Sequence, residues 1–371
     1  MGSVLRASSQ AELQSRLHEA DPGDEIAVAD GRHGDWVVRV PCEGSAGQPI
    51  VIHPETEEGA VFTGESSFEV TGRHVVLQGF RFESCQLTSS CVNLSGARDC
   101  RITGCQFEDA AGRAPVIGIA DLSRDNRVDH CTFLRPAARS IQVIIRSQEP
   151  PVGNRIDHNL FQDVPPIGGN GRETIQVGQS QPKWGLTEPR TVVEHNTFLR
   201  CDGEAEVISN KSSHNIYRRN LFRECEGELV MRGGSHCVLE GNRFERCSGG
   251  IRLSGTHHRV VDNVIVGNRS TGIRLLYGMT RELGGHYQAS TGCLVANNTI
   301  VDAGEVGIHI GAGGGRDWGE RGIANVAPYG NRFINNIVVG STETFLLSED
   351  CPDNVVEHNL YYTICKAAVF D

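Results

Sequence analysis

Glu204 and Glu206 lie two residues apart in the run Cys201-Asp-Gly-Glu-Ala-Glu-Val-Ile-Ser-Asn-Lys211-Ser212. On a strand this spacing points both carboxylates to one face. Like charges held together repel unless a cation lies between them. Five residues after Glu206 comes Lys211, one of only three lysines (with Lys183 and Lys366) among 35 basic residues. A chain that takes its positive charge from arginine has little generic reason for a lysine here. Lysine differs from arginine in that it can give up its proton and act as a base. Two carboxylates that want a cation, followed by a base, are the start of a mechanism. Calcium needs more oxygens than two carboxylates supply. Asn170, in Gly168-Gly-Asn-Gly-Arg-Glu173-Thr174, lies one repeat earlier and offers an amide oxygen. Glu173 by itself reads as a solvated charge.

Lys211 and Arg232 are 21 residues apart, and Arg252 and Arg274 follow at similar intervals. If each interval is one coil of a solenoid, Lys211 and Arg232 face each other on adjacent rungs. The arginines would then form a cationic groove for a linear anionic polymer. In a uronate polymer the proton on C5 is α to a carboxylate. A divalent cation on that carboxylate stabilises the enolate-like intermediate. A neutral lysine removes the proton, and the C4–O4 bond breaks by β-elimination without water. Hydrolysis would call instead for an acid and base carboxylate pair, which would leave Lys211 without a task.

The elements that must hold these residues come from a repeat. Asn followed two residues later by a large apolar residue recurs as Asn159-Leu-Phe161, Asn196-Thr-Phe198, Asn220-Leu-Phe222 and Asn242-Arg-Phe244, and continues to Asn359-Leu-Tyr361. Cys105 and Cys131 fill the Asn slot in two earlier copies. The spacing is about 21 to 28 residues, with some copies at about 35 to 38, the period of a solenoid. Short strands rich in Val and Ile, separated by Gly, Asn and Asp turns, predict an all-β fold, a right-handed parallel β-helix. The recurring Asn is expected to form a turn ladder that adopts the left-handed conformation and bonds its neighbours. Cys85, Cys201, Cys225 and Cys247 each follow a repeat Phe by three residues and read as a buried ladder of small apolar groups, which explains thirteen cysteines without disulfides.

At the N-terminus, Ser9-Gln-Ala-Glu12 is a capping box for a short helix within about residues 8–20, containing Leu13 and Leu17. A helix there would cover the open end of the solenoid. No linker or composition break divides residues 1–371, so a single domain is expected. Stretched copies near 165–190, 275–290 and 311–328 read as long loops on one side, where function tends to sit.

A net charge of −11 argues against nucleic acid as a partner. No apolar run approaches the roughly 18 residues of a membrane span. Neither the n-region nor the h-region of a signal peptide is visible, although a polymer substrate implies a periplasmic or secreted address. Oligomeric state is not legible.

The segments Asn170-Gly-Arg-Glu173-Thr-Ile175, Thr191-Val-Val-Glu-His-Asn196, Cys201 to Ser212 and Gly249-Gly-Ile-Arg252 resemble family six of the polysaccharide lyases, the alginate lyases and chondroitinase B. That resemblance implies calcium held by Asn170, Glu204 and Glu206, with Lys211 as the base. Arg232 would stand where the family places its acid. Charge stabilisation by Arg232, with water or a tyrosine as the donor, is equally consistent, because guanidinium rarely gives up a proton. Glu173, Arg252, Arg274, Tyr277 and His286 would line the substrate groove. One departure is Arg232-Gly233-Gly234, where family members commonly have Arg-His-Gly. Alginate is the expected substrate. The alternatives are a dermatan or chondroitin lyase of the same family, a mannuronan C5-epimerase, or a non-catalytic polysaccharide-binding β-helix. Lys211 is expected to be an exposed strand-edge residue whose replacement leaves the fold intact.

Overall fold

A computed structural model describes residues 2–120, 122–166, 168–179, 186–280, 287–319, 322–348 and 350–363. The chain divides into two compact units, one made of residues 1–179 and 187–208, the other of 180–186 and 209–371. Among the described residues one helix is present and no helix is long and apolar enough to cross a membrane.

The first unit is a parallel β-helix whose coils each give one strand to each of three ladders. One ladder runs from Val4–Ala7 to Val192–Glu194, a second from Val37–Val40 to Ile175–Val177, and a third from Gly31–Gly34 to Thr197–Cys201. Register is strict because like residues stack. Phe82, Phe107, Phe133, Phe161 and Phe198 lie over one another with ring centroids 4.8 to 5.0 Å apart. On the outer face, the Nε of Arg101 donates to Asp129 at 2.7 Å and that of Arg127 to Asp157 at 2.8 Å. The planar guanidinium fork spans one coil to the next, which is a structural reason for the chain's preference for arginine.

The helix Gln10–Glu19 closes the first coil of this unit, burying Leu13 and Leu17. The Ser9 hydroxyl accepts from the Glu12 N–H, while the Glu12 carboxylate turns back to the Ser8 N–H rather than to Ser9. The helix also satisfies the edge strand Val37–Val40. Gln10 and Gln14 side chains accept from the N–H groups of Val37 and Arg39 at 3.1 Å, and Gln14 donates to the Arg39 carbonyl. An edge that would otherwise pair with another chain is blocked.

The second unit repeats the arrangement, with ladders running from Ile216–Arg218 to Val355–Glu357, from Glu228–Met231 to Glu343–Leu347, and from Leu221–Arg223 to Leu360–Tyr362. Its spine is an amide ladder. Asn220 donates to Asn242, Asn242 to Asn263, Asn263 to Asn298, Asn298 to Asn336 and Asn336 to Asn359, each at 2.9 or 3.0 Å. These bonds satisfy amides that lie almost wholly out of water. The left-handed conformation, however, belongs to the residue before the ladder Asn. Arg219, Asp262, Asn297, Asn335 and His358 have φ of 52 to 58°, and the ladder asparagines have negative φ. The bend must turn the chain just before the amide enters the interior, so bending and bonding fall on different residues.

All twelve described cysteines are free and buried. Cys225 and Cys247 are neighbours, and that contact together with burial pushes the Cys247 thiol well up. These are inert small apolar groups.

Candidate active site

In the first unit the structure gathers three carboxylates. Glu173, Glu204 and Glu206 each offer an oxygen within 4.8 Å of the others. Glu206 opens the strand Glu206–Asn210, Glu204 lies in the turn before it, and Glu173 stands two residues ahead of the strand Ile175–Val177. Close backbone packing brings them together. A Cβ on Gly203 would lie 2.4 Å from the Arg172 carbonyl oxygen, so only glycine permits the approach. Next to it the Gly171 N–H donates to the Glu204 carboxylate at 2.5 Å.

Glu173 is buried, not the solvated charge read from sequence. Pairing of Ile141 with Ile175 sets Arg139 opposite Glu173, and the Arg139 Nε donates to Glu173 Oε2 at 2.8 Å. The Arg139 guanidinium thus pairs with one member of the carboxylate group. Burial, followed by the charges of Glu173 and Glu206, holds the Glu204 carboxyl above the ordinary glutamate range. Such a set fits a hard divalent cation. Asn170 is exposed and precedes the Gly171 amide that bonds Glu204.

In the second unit, Lys211 follows the strand Glu206–Asn210 and is buried, with 3% of its surface exposed. The expectation of an exposed strand-edge lysine is therefore corrected. Its segment is held by a buried amide network. Asn210 donates to the carbonyls of Ser212 and Gly233 and accepts from Asn215 at 2.8 Å and from the Tyr217 hydroxyl at 2.9 Å. A Cβ on Gly234, at φ +82°, would lie 2.2 Å from the Ser212 carbonyl oxygen. That contact seats the next coil directly against the lysine's segment. The Arg232 N–H donates to the Asn210 carbonyl at 2.9 Å. In a parallel pair this bond runs to the residue before the register partner, as Leu229, paired with Ile251, bonds Gly250. Arg232 therefore stands opposite Lys211 on the neighbouring coil.

Arg252 and Arg274 pair directly in register, and His309 extends the column. Arg232 lies two positions further along, on the same face. Sequence reasoning missed Glu228. This buried carboxylate takes Arg274 at 2.5 Å and Arg252 at 3.7 Å, so both cations share a counter-charge. Burial, then Arg274, lowers the pKa of His309. Tyr277 packs against Gly314 and its hydroxyl meets the Cys351 sulfur at 4.0 Å. His286 lies outside the described residues. A second residue the sequence did not reveal is Tyr287, whose phenol oxygen accepts from both Nε (2.7 Å) and Nη2 of Arg232. Only proximity in the fold, across 55 residues, could have found it.

Each unit is a parallel β-helix; the first groups three carboxylates, and the second sets a lysine beside an arginine column. The chain matches the chondroitinase B family over residues 7–361 and belongs to that family, polysaccharide lyase family six, whose members are lyases acting on polysaccharides. It is similar, at 29% identity and a TM-score of 0.81, to a mannuronic acid specific family 6 lyase from human gut microbiota, covering 96% of this chain and 82% of that one. The alginate lyase AlyGC matches at 26% identity and a TM-score of 0.85, over 98% of this chain. The chain spans about half of AlyGC's length, 52%. A family 6 lyase from Pseudopedobacter saltans shares the fold at 21% identity and a TM-score of 0.76, covering 96% of this chain and 92% of that one. Among curated proteins no sequence matches.

Proposed function

We propose that this protein is a calcium-dependent lyase that cleaves alginate by β-elimination. The observation that carries the reading is Lys211, buried and opposite Arg232, in a chain that also groups Glu173, Glu204 and Glu206. Alginate is favoured over dermatan because the relatives at 29% and 26% identity are a mannuronic acid specific lyase and an alginate lyase.

Glu204 and Glu206, with Glu173 beside them and exposed Asn170 nearby in sequence, would hold the calcium. Bound calcium supplies positive charge that neutralises a uronate carboxylate and makes its α-proton more acidic. Lys211 in its neutral form takes the C5 proton. Arg232 keeps a fixed positive charge on the neighbouring coil and stabilises the negative charge that builds as the C4–O4 bond breaks. Arg252 and Arg274, held in line by Glu228, bind further carboxylates along the polymer. Tyr277 and His286 would add substrate contacts. A polymer substrate implies work outside the cytoplasm, in the periplasm or secreted.

The test is ultraviolet absorbance of the C4–C5 unsaturated product on polymannuronate, polyguluronate, mixed alginate and dermatan, each with calcium and with chelator. A calcium-dependent rise on an alginate substrate supports the reading, and a rise on dermatan alone reassigns the substrate. Absence of a rise on every polymer, from a normally folded protein, rules elimination out.

A further inference from the structure

We infer that Tyr287 is the proton donor to the leaving oxygen, with Arg232 as the group that aims it. This rests on the elimination reading above and adds to it the acid that guanidinium is ill suited to be, since arginine stays protonated in proteins.

The two side chains are locked as a unit. Arg232 donates to the Tyr287 oxygen from Nε at 2.7 Å and from Nη2, and its guanidinium carbon is 5.1 Å from the ring centroid. The backbones are also joined. The Tyr287 N–H donates to the Arg232 carbonyl at 3.1 Å, and the Met279 N–H donates to the Tyr287 carbonyl at 2.9 Å. Tyr287 has φ +52°, a left-handed conformation that is unfavourable for a bulky residue. The Trp318 ring flanks the Tyr287 ring at 5.9 Å. A strained residue held from this many directions is one whose position matters.

Hydrogen-bond directions settle what the hydroxyl can do. Two N–H groups of a cation point at the lone pairs of the phenol oxygen, which leaves the hydroxyl proton on the side away from the arginine. Arg232 lies opposite Lys211, so a sugar ring whose C5 proton reaches the lysine has its leaving oxygen on the side of the Arg232–Tyr287 pair.

The step balances without any co-reactant. Lys211 takes the C5 proton, the C5–H electron pair becomes the C4–C5 double bond, and the C4–O4 bond breaks with its electrons on O4. The Tyr287 proton passes to O4, giving a free hydroxyl on the released chain. The phenolate left behind is held by the two Arg232 N–H groups until Lys211 and Tyr287 exchange protons with water.

Tyr287→Phe keeps the ring and removes the proton. We would measure it and the wild type on alginate and on a short uronate carrying an aryloxy group at C4, which departs as an aryloxide with no need of an acid. Expected for Tyr287→Phe is a fall in kcat on alginate of about 100-fold or more, the usual contribution of general acid catalysis. KM should stay within about twofold, and the rate on the aryloxy substrate should be close to wild type. That second rate also reports that the variant is folded and that Lys211 works. Near-normal turnover on alginate would overturn the inference while leaving the lyase intact. Equal losses on both substrates would also overturn it, assigning Tyr287 a merely structural role. If wild type made no unsaturated product from either substrate, the elimination reading itself would fall.

Discussion

Arg139 and Glu173 occupy the same register position on successive coils, and their 2.8 Å ion pair leaves Glu204 and Glu206 without that guanidinium's hydrogen bond. Arg139 thus stabilises the acidic group before any cation arrives, and opposes the cation once it does. Arg139→Gln should show both effects with opposite signs. Without calcium the variant should lose roughly 1–3 kcal/mol, because buried Glu173 loses its charged partner. With calcium the gain in Tm should exceed that of wild type, since the Arg139 charge would no longer oppose the ion. Calorimetric melts across a calcium titration check this, and an unchanged calcium-induced shift would remove Glu173 from the cation site.

Lys211 is buried, so its replacement must keep volume as well as remove the amine. Lys211→Met should abolish formation of unsaturated product while the variant still melts cooperatively. Lys211→Ala should be equally inactive and less stable, because it leaves a cavity under the next coil. Turnover near the wild-type level in Lys211→Met would end the assignment of Lys211 as base.

Asn210 uses its amide toward Ser212, Gly233, Cys237, Asn215 and Tyr217, and its backbone carbonyl takes the Arg232 N–H. It touches no reacting atom in this scheme, yet it fixes the segment that carries Lys211. Asn210→Ala would orphan the Tyr217 hydroxyl in the interior, at a cost of roughly 1–3 kcal/mol, and should lower kcat more than it raises KM. Urea unfolding with steady-state kinetics tests both parts. A stability loss with unchanged kcat would show that the segment holds its place without this network.

The coils were legible because stacking forces like residues into columns, and a column appears in sequence as a period. Asn220, Asn242 and Asn263 bond in the order that the repeat implies. The capping helix was legible for a local reason, since Ser9 and Glu12 are neighbours in sequence. Glu228 and Tyr287 were not. Glu228 looks like any surface glutamate until register puts Arg274 against it, and Tyr287 reaches Arg232 from a loop 55 residues away. Glu173 was misread for a related reason: its coil carries a long insertion, and no fixed period connects it to Glu204. Where coils keep their length, register can be counted; where loops intervene, only the fold supplies it.

His258 gives a prediction about pH that does not depend on the chemistry of the site. It stands in a turn ladder built elsewhere of amides and cysteines, between Cys237 and Cys293. Its Nδ1 accepts the Cys237 N–H at 3.2 Å, as Asn331 Oδ1 accepts that of Cys293, and its Nε2–H donates to the Ser254 carbonyl at 3.1 Å. That bonding pattern requires a neutral ring. Burial, outweighing the bond to Ser254, depresses its pKa from the ordinary 6.5 to about 4. The unfolded chain therefore binds a proton in this window and the folded chain does not. The stabilising contribution is complete above pH 6.5 and is lost progressively as pH falls toward about 4, at up to about 1.4 kcal/mol per pH unit. His258→Asn restores an amide to the ladder and removes the titrating group. It should flatten the part of the stability–pH curve that lies between those two values, as measured by urea midpoints at successive pH. If wild type and variant fall in parallel through this range, His258 is not the residue that limits acid stability.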